Sequence, residues 1–92
     1  MKIKIHGQAV LIHDNEGKLL QAFSYDTCLA ARSPKGTAIV NVTSFSVTTS
    51  KHQSKVWDAL GTERTIRVKA PMNAEPADLV RLASEVVNGG AS

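Results

Sequence analysis

The sequence predicts an α+β domain: an antiparallel sheet of about five strands with two short helices packed on one face, in the order ββββαβα. Three observations carry this. Apolar residues alternate with a period of two through most of residues 2–42, and clusters of turn-forming residues interrupt that alternation at short intervals. After Phe45, and again after Pro76, the apolar period lengthens to that of a helix.

Lys2 to Ile12 reads as one strand, with Ile3, Ile5, Ala9 and Leu11 on one side and Lys2, Lys4, His6 and Gln8 on the other. Val10 and Ile12 break the pattern, so the far end is either covered on both faces or displaced by a bulge at Gly7. His13 to Gly17 is a polar turn, and the apolar run Lys18 to Phe23 completes a hairpin. Ser24-Tyr25-Asp26 is a second corner, followed by a third strand of small residues from Thr27 to Arg32. Ser33-Pro34-Lys35-Gly36 places proline second and glycine fourth, as a tight turn prefers, before a fourth strand from Thr37 to Val42. These four strands form a meander.

Gln53, Val56, Trp57 and Leu60 share one face of a helix, Ser50 and Gln53 have capping-box spacing, and Gly61 stands where a left-handed C-terminal cap belongs. Thr62 to Ala70 alternates again around Ile66 and Val68. Its cations suit an edge strand, and Pro71 ends it. Pro76 opens a second helix with the stripe Leu79, Leu82, Ala83 and Val86, which Gly89-Gly90 stops. Residues 1–88 are therefore expected to form one domain, with 89–92 a frayed tail.

Ninety-two residues close about one hydrophobic core, and the 42% hydrophobic and 21% charged composition is that of a globular chain. One cysteine, Cys28, makes neither an internal disulfide nor a thiolate zinc site. No segment has the length of a membrane span, and M-K-I-K-I-H-G lacks the apolar stretch of a signal peptide, so a soluble protein of a reducing cytosol is expected. The net charge of +3 and pI near 9.3 favour acidic partners without specifying them.

Catalytic chemistry finds little support. A Cys28 nucleophile would need His6, His13 or His52 as its base, but Cys28 lies in the small apolar strand T-C-L-A-A and reads as a buried hydrophobe, and nothing local supports a Ser/His/Asp triad. The histidines lack metal-ligand spacing, and neither nucleotide-cradling glycine motif occurs. A protein that is not an enzyme, with no cofactor and no metal, is expected. Tyr25 and Asp26 read as corner residues, the ring on the core with its hydroxyl paired and the carboxylate accepting backbone bonds.

The stretch S-V-T-T-S-K-H-Q-S-K, residues 46–55, is the exception to this plainness. Thr48, Thr49 and Ser50 supply the hydroxyls that a helix start favours, yet Lys51 and Lys55 repel each other at i, i+4 and oppose the helix dipole, at a cost of about 1 kcal/mol. A phosphate or a partner's carboxylate would reverse that sign. Arg64, Arg67 and Lys69 follow, giving five cations between Lys51 and Lys69 against Asp58 and Glu63. Alternation puts Arg67 and Lys69 on one face and Arg64 on the other. Lys51, Lys55, Arg64, Arg67 and Lys69 are the predicted partner contacts, with Arg32 and Lys35 as second choices. Trp57 on the helix's apolar face, and Phe23 and Phe45 in the core, leave no platform for stacking bases.

The corner S-Y-D-T at 24–27 together with S-V-T-T-S-K-H-Q at 46–53 resembles a group of small phage-encoded proteins that share a Y-D-T corner and an S-x-T-T-S-K-H segment. The whole chain also looks like a type I-F anti-CRISPR protein of phages and prophages. That resemblance implies a stoichiometric inhibitor, acting in the host bacterial cytoplasm, that binds Cas proteins of the crRNA-guided surveillance complex and blocks target DNA binding or hybridisation. Contact with crRNA phosphates belongs to the same expectation; a membrane or a small-molecule substrate does not. The competing readings are a phage nucleic-acid-binding accessory protein and a small phage structural or assembly protein.

Overall fold

In a computed structural model, which describes residues 1–43 and 47–90, the chain forms six strands and two helices. The strands are β1 (Lys2–His6), β2 (Ala9–His13), β3 (Leu19–Ser24), β4 (Thr27–Arg32), β5 (Ala38–Asn41) and β6 (Thr65–Val68). The helices are α1 (Val47–Leu60), between β5 and β6, and α2 (Pro76–Gly90) at the end. Spatial order follows chain order across one sheet; every neighbouring pair is antiparallel except β5 and β6, which α1 joins as a parallel crossover. The α+β class is as predicted, with one strand more than expected.

The extra strand comes from Gly7. The stretch from Lys2 to Ile12 is not one strand but a hairpin, in which Gly7 at φ 63 and Gln8 form a two-residue turn and Lys4 pairs with Leu11. Glycine at the first central position tolerates the positive φ that makes such a turn follow the strand twist. Because pairing keeps partners on one face, Lys2, Lys4 and His6 share the side of Ala9, Leu11 and His13. Ile3 and Ile5 point the other way, not to the side of Ala9 and Leu11 as expected, and stay 58% and 69% exposed.

Two apolar clusters cover the two faces of the sheet. Val56 and Leu60 of α1 pack with Ala9, Leu11, Leu29, Ala38 and Val40, and Trp57 lies against them. Leu79 and Ala83 of α2 pack with Cys28, Ala31, Ile39 and Val68. Ile39 and Val40 are consecutive in β5 and belong to different clusters, so the helices lie on opposite faces rather than on the single face expected. Aliphatic residues at consecutive positions of β4 and β5 signal exactly such two-sided burial, which a period-two reading does not resolve. A register shift in β4 opposite Ala22 and Phe23 gives Leu29 and Ala30 to the same cluster, although they are adjacent.

The turns follow their residue types. Asp14 accepts from the amides of Glu16 and Lys18, and Gly36 donates to the Ser33 carbonyl at 2.8 Å. Gly61, at φ 61, ends α1 and donates to the Trp57 carbonyl. The other end of α1 departs from expectation: it starts at Val47, so Ser50 is helical and does not cap. Gln53 reaches back to the carbonyls of Asn41 and Thr43 at 2.9 and 3.0 Å. Lys51 thus opens the second turn, where the dipole penalty is weaker. The expected core position of Phe45 and the hydroxyls of Thr48 and Thr49 lie outside the described residues. Helix α2 continues through Gly89 and Gly90, past the predicted stop.

Candidate partner-binding face

The two sequence signatures meet at one end of the sheet. Tyr25 and Asp26 form the two-residue turn between β3 and β4, with Tyr25 in the left-handed region at φ 55 and its amide donating to the Gln8 carbonyl at 3.0 Å. A non-glycine residue there costs about 1–2 kcal/mol. Tyr25 is 57% exposed and its ring is tilted against the His52 ring at 6.3 Å, so it does not anchor on the core as expected. Beneath it Ser24 Oγ and His52 Nδ1 share a 2.6 Å hydrogen bond whose direction follows the imidazole tautomer.

A serine beside a histidine suggests a nucleophile and its base. Ser24 is 0% exposed and His52 7%, however, so no substrate reaches the hydroxyl. The pair fastens the start of α1 to β3. Cys28 is equally remote: it is fully buried, donates to the Ala30 carbonyl, and burial pushes its thiol up to about 11. Among the described residues no group of three or more His, Cys, Asp or Glu is placed to hold a metal ion, and no helix is long and apolar enough to cross a membrane.

The cations divide around α1. His52, Val56 and Leu60 turn inward, and Lys51 and Lys55 stay exposed on the flank toward β1. There Lys55 lines a groove with Lys4, His6, Leu11, His13, Asp58 and Ala59. On the opposite flank Arg67 lies over the Trp57 ring, 5.2 Å from its centroid. Ile66 and Val68 face α2, so β6 alternation turns Arg67 toward α1. Lys69 is exposed just beyond the strand, and Arg64 is exposed in the loop before it. The predicted contacts therefore do not make one patch: Lys51 and Lys55 flank the helix on one side, Arg67 on the other.

Both second-choice residues lie elsewhere. Arg32 donates to the carbonyls of Leu19 and Gly36 at 2.6 and 2.9 Å and makes a bidentate pair with Glu63; its side chain is 9% exposed. It closes the opposite end of the sheet and uses four of its five donors there. The Arg32 hydrogen bond holds the Glu63 carboxyl below its usual range, against a smaller desolvation effect. Lys35 borders an apolar groove formed with Ile66, Val80 and Val87 on the α2 side. The residues that sequence reasoning missed are Lys2, Lys4 and His6, which the first hairpin turns toward α1. The signal was present as Gly7 between two alternating runs.

A family of unknown function (DUF8033) matches residues 3–71. That span runs from β1 through β6 and contains the Y-D-T corner, the T-T-S-K-H segment and the whole of α1. No curated protein and no solved structure matches the chain.

Proposed function

We propose that this chain, which belongs to the DUF8033 family of unknown function, acts by binding, presenting its α1 face to an anionic partner. One observation carries this reading: charge is segregated between the faces. Lys2, Lys4, Lys51, Lys55 and Arg67 accompany Asp58 on the α1 side, whereas Glu75, Asp78 and Glu85 accompany Arg81 and Lys35 on the α2 side. Segregation of this kind steers and orients an approaching partner more than it stabilises the fold.

Within that reading, the resemblance to type I-F anti-CRISPR proteins names the partner: Cas proteins of the crRNA-guided surveillance complex, with crRNA phosphates available to the same cations. Such a complex guides DNA along positively charged channels and holds an anionic guide RNA, and a small domain with a mixed basic face would obstruct target DNA by engaging the guide's phosphates or acidic patches of the Cas proteins. Purified surveillance complex should carry the protein with it on size exclusion, while free oligonucleotides are not shifted. The folded double variant Lys51→Glu, Lys55→Glu should lose co-migration. Retention by that variant would remove these lysines from the interface, and salt-sensitive shifts of free DNA without co-migration would favour a nucleic-acid accessory role.

A second reading has its own observation. Helix α2 packs on β4, β5 and β6, and among the described residues no helix packs on the other half of its sheet face, where Ile3 and Ile5 are exposed. An assembly protein would use such a face, and Ile3→Lys with Ile5→Lys would abolish its self-association in sedimentation.

A further inference from the structure

From the outer edge of β1 we infer a docking site for an extended segment of a partner protein in which carboxylate and apolar side chains alternate, added to the sheet as a seventh strand. The inference goes beyond the α1 face proposed above and stands on the backbone of β1 rather than on that reading. β1 ends the sheet, and among the described residues β2 is its one strand neighbour. Around a two-residue turn the flanking pair, here His6 and Ala9, exchanges both of its backbone hydrogen bonds, and along an antiparallel pair such residues alternate with others that point outward. Lys2, Lys4 and His6 therefore bond to β2, while the N–H and C=O groups of Ile3 and Ile5 point away from the sheet. Every residue of β1 is exposed. At the other edge, by contrast, Ile66 and Val68 of β6 pack with α2.

The side chains of β1 say which strand fits. Lys2, Lys4 and His6 lie on the α1 side of the sheet, with Lys55 across the groove, and Ile3 and Ile5 lie on the opposite side beside half-buried Val10 and Ile12. Lysines on an edge strand ordinarily serve to prevent pairing. Protection alone gives no reason for two isoleucines more than half exposed on the same strand, where polar residues would protect better. A second copy is a poor occupant. A closed edge-to-edge pair is antiparallel, with Ile3 and Ile5 bonding to Ile3 or Ile5 of the copy, and each such register sets Lys4 directly against Lys2, Lys4 or His6 of the copy. Like charges in that position destabilise pairing. A strand with carboxylates opposite Lys2 and Lys4 and apolar residues opposite Ile3 and Ile5 reverses the sign and covers the isoleucines.

The probe is an end-blocked peptide, Glu-Val-Glu-Val-Glu, added at millimolar concentration to the isotope-labelled protein and followed by NMR. One control peptide carries lysine in place of glutamate, and another is N-methylated at both valines, which keeps the charge and removes the donors that would meet β1. The probe should slow solvent exchange of the Ile3 and Ile5 amides about twofold or more, and neither control should. Lys2→Glu with Lys4→Glu should weaken the probe about tenfold and admit the lysine peptide instead. Ile3→Pro deletes an outward N–H without touching the ladder to β2, so it should abolish binding in a protein that still folds. Equal effects from the probe and its N-methylated form would reduce the site to charge attraction and overturn the edge. Undiminished binding by Ile3→Pro would do the same, as would Ile3 and Ile5 amides that no peptide protects. Protection that grows with protein concentration in the absence of peptide would give the edge to a second copy, against the proposal. None of these failures touches the α1 face, which Lys51→Glu with Lys55→Glu tests through residues outside β1.

Discussion

Asn41 holds together three segments that set the position of α1, and replacing it by alanine gives the sharpest test of how this fold is pinned. The side chain is 0% exposed at the end of β5. Nδ2 donates to the Cys28 carbonyl at 3.1 Å and the Ala70 carbonyl at 3.4 Å, while Oδ1 accepts from the amides of Thr43 and Ala70 at 3.1 and 3.2 Å. In Asn41→Ala the Ala70 carbonyl keeps the Thr43 hydroxyl at 3.0 Å, and the Thr43 amide is half-buried and within reach of water. The Ala70 amide and the Cys28 carbonyl lose Asn41 in residues 2% and 0% exposed. At about 1–3 kcal/mol for each stranded group, partly relieved by relaxation, the loss should be about 2–4 kcal/mol. That is a large share of the roughly 5–15 kcal/mol by which small domains are stable. Urea unfolding measures it directly, and native-state hydrogen exchange should show the Ala70 amide accelerated. Asn41→Asp keeps the shape and the acceptor but forfeits both donors and buries a charge, so its loss should shrink as falling pH neutralises the carboxyl. A cost below about 1 kcal/mol for Asn41→Ala, with the Ala70 amide still protected, would refute the reasoning.

Arg32→Ala should cost about 2–4 kcal/mol in urea unfolding, because the Leu19 and Gly36 carbonyls and Glu63 lose a shared donor; a cost near zero would make the pair ornamental. Tyr25→Asn, which suits the left-handed region, should gain about 0.5–1 kcal/mol in thermal unfolding, and a loss would mean that the ring contact with His52 outweighs backbone strain. Stability should fall on acidification in two stages. His13 has its proton affinity lowered in the fold, so its contribution is complete above its ordinary value of 6.5 and fades as pH drops below it. The Asp14 and Glu63 carboxyls are also lowered, by the Lys18 amide and Arg32 first, so theirs persists above the usual carboxylate range and is lost as pH falls through the folded values. His13→Phe should erase the first stage in a pH series of melting curves and leave the second.

Much of the fold was legible because its signals are local. The Pro34 turn, the Gly61 cap and the Pro76 start each follow from one residue's backbone preference, and the Leu79 to Ala83 stripe from helix geometry. The first hairpin was misread because Gly7 serves equally as a bulge or a turn, and only strand pairing distinguishes them. The candidate site was half legible. Lys51, Lys55 and Arg67 were named from charge alone, while Lys4, His6 and His13 join the groove through β1 and β2, some forty residues earlier in the chain.

By itself the sequence determined the class of fold, every turn but the one at Gly7, and the cysteine's burial, since each depends on dihedral preference or residue type over a few positions. Only the tertiary structure decided which face each helix covers and which cations become neighbours. Those outcomes depend on strand register and on packing between segments distant in the chain: shifting one pairing by a residue would send Lys4 to the opposite face and dissolve the groove without changing a single local signal.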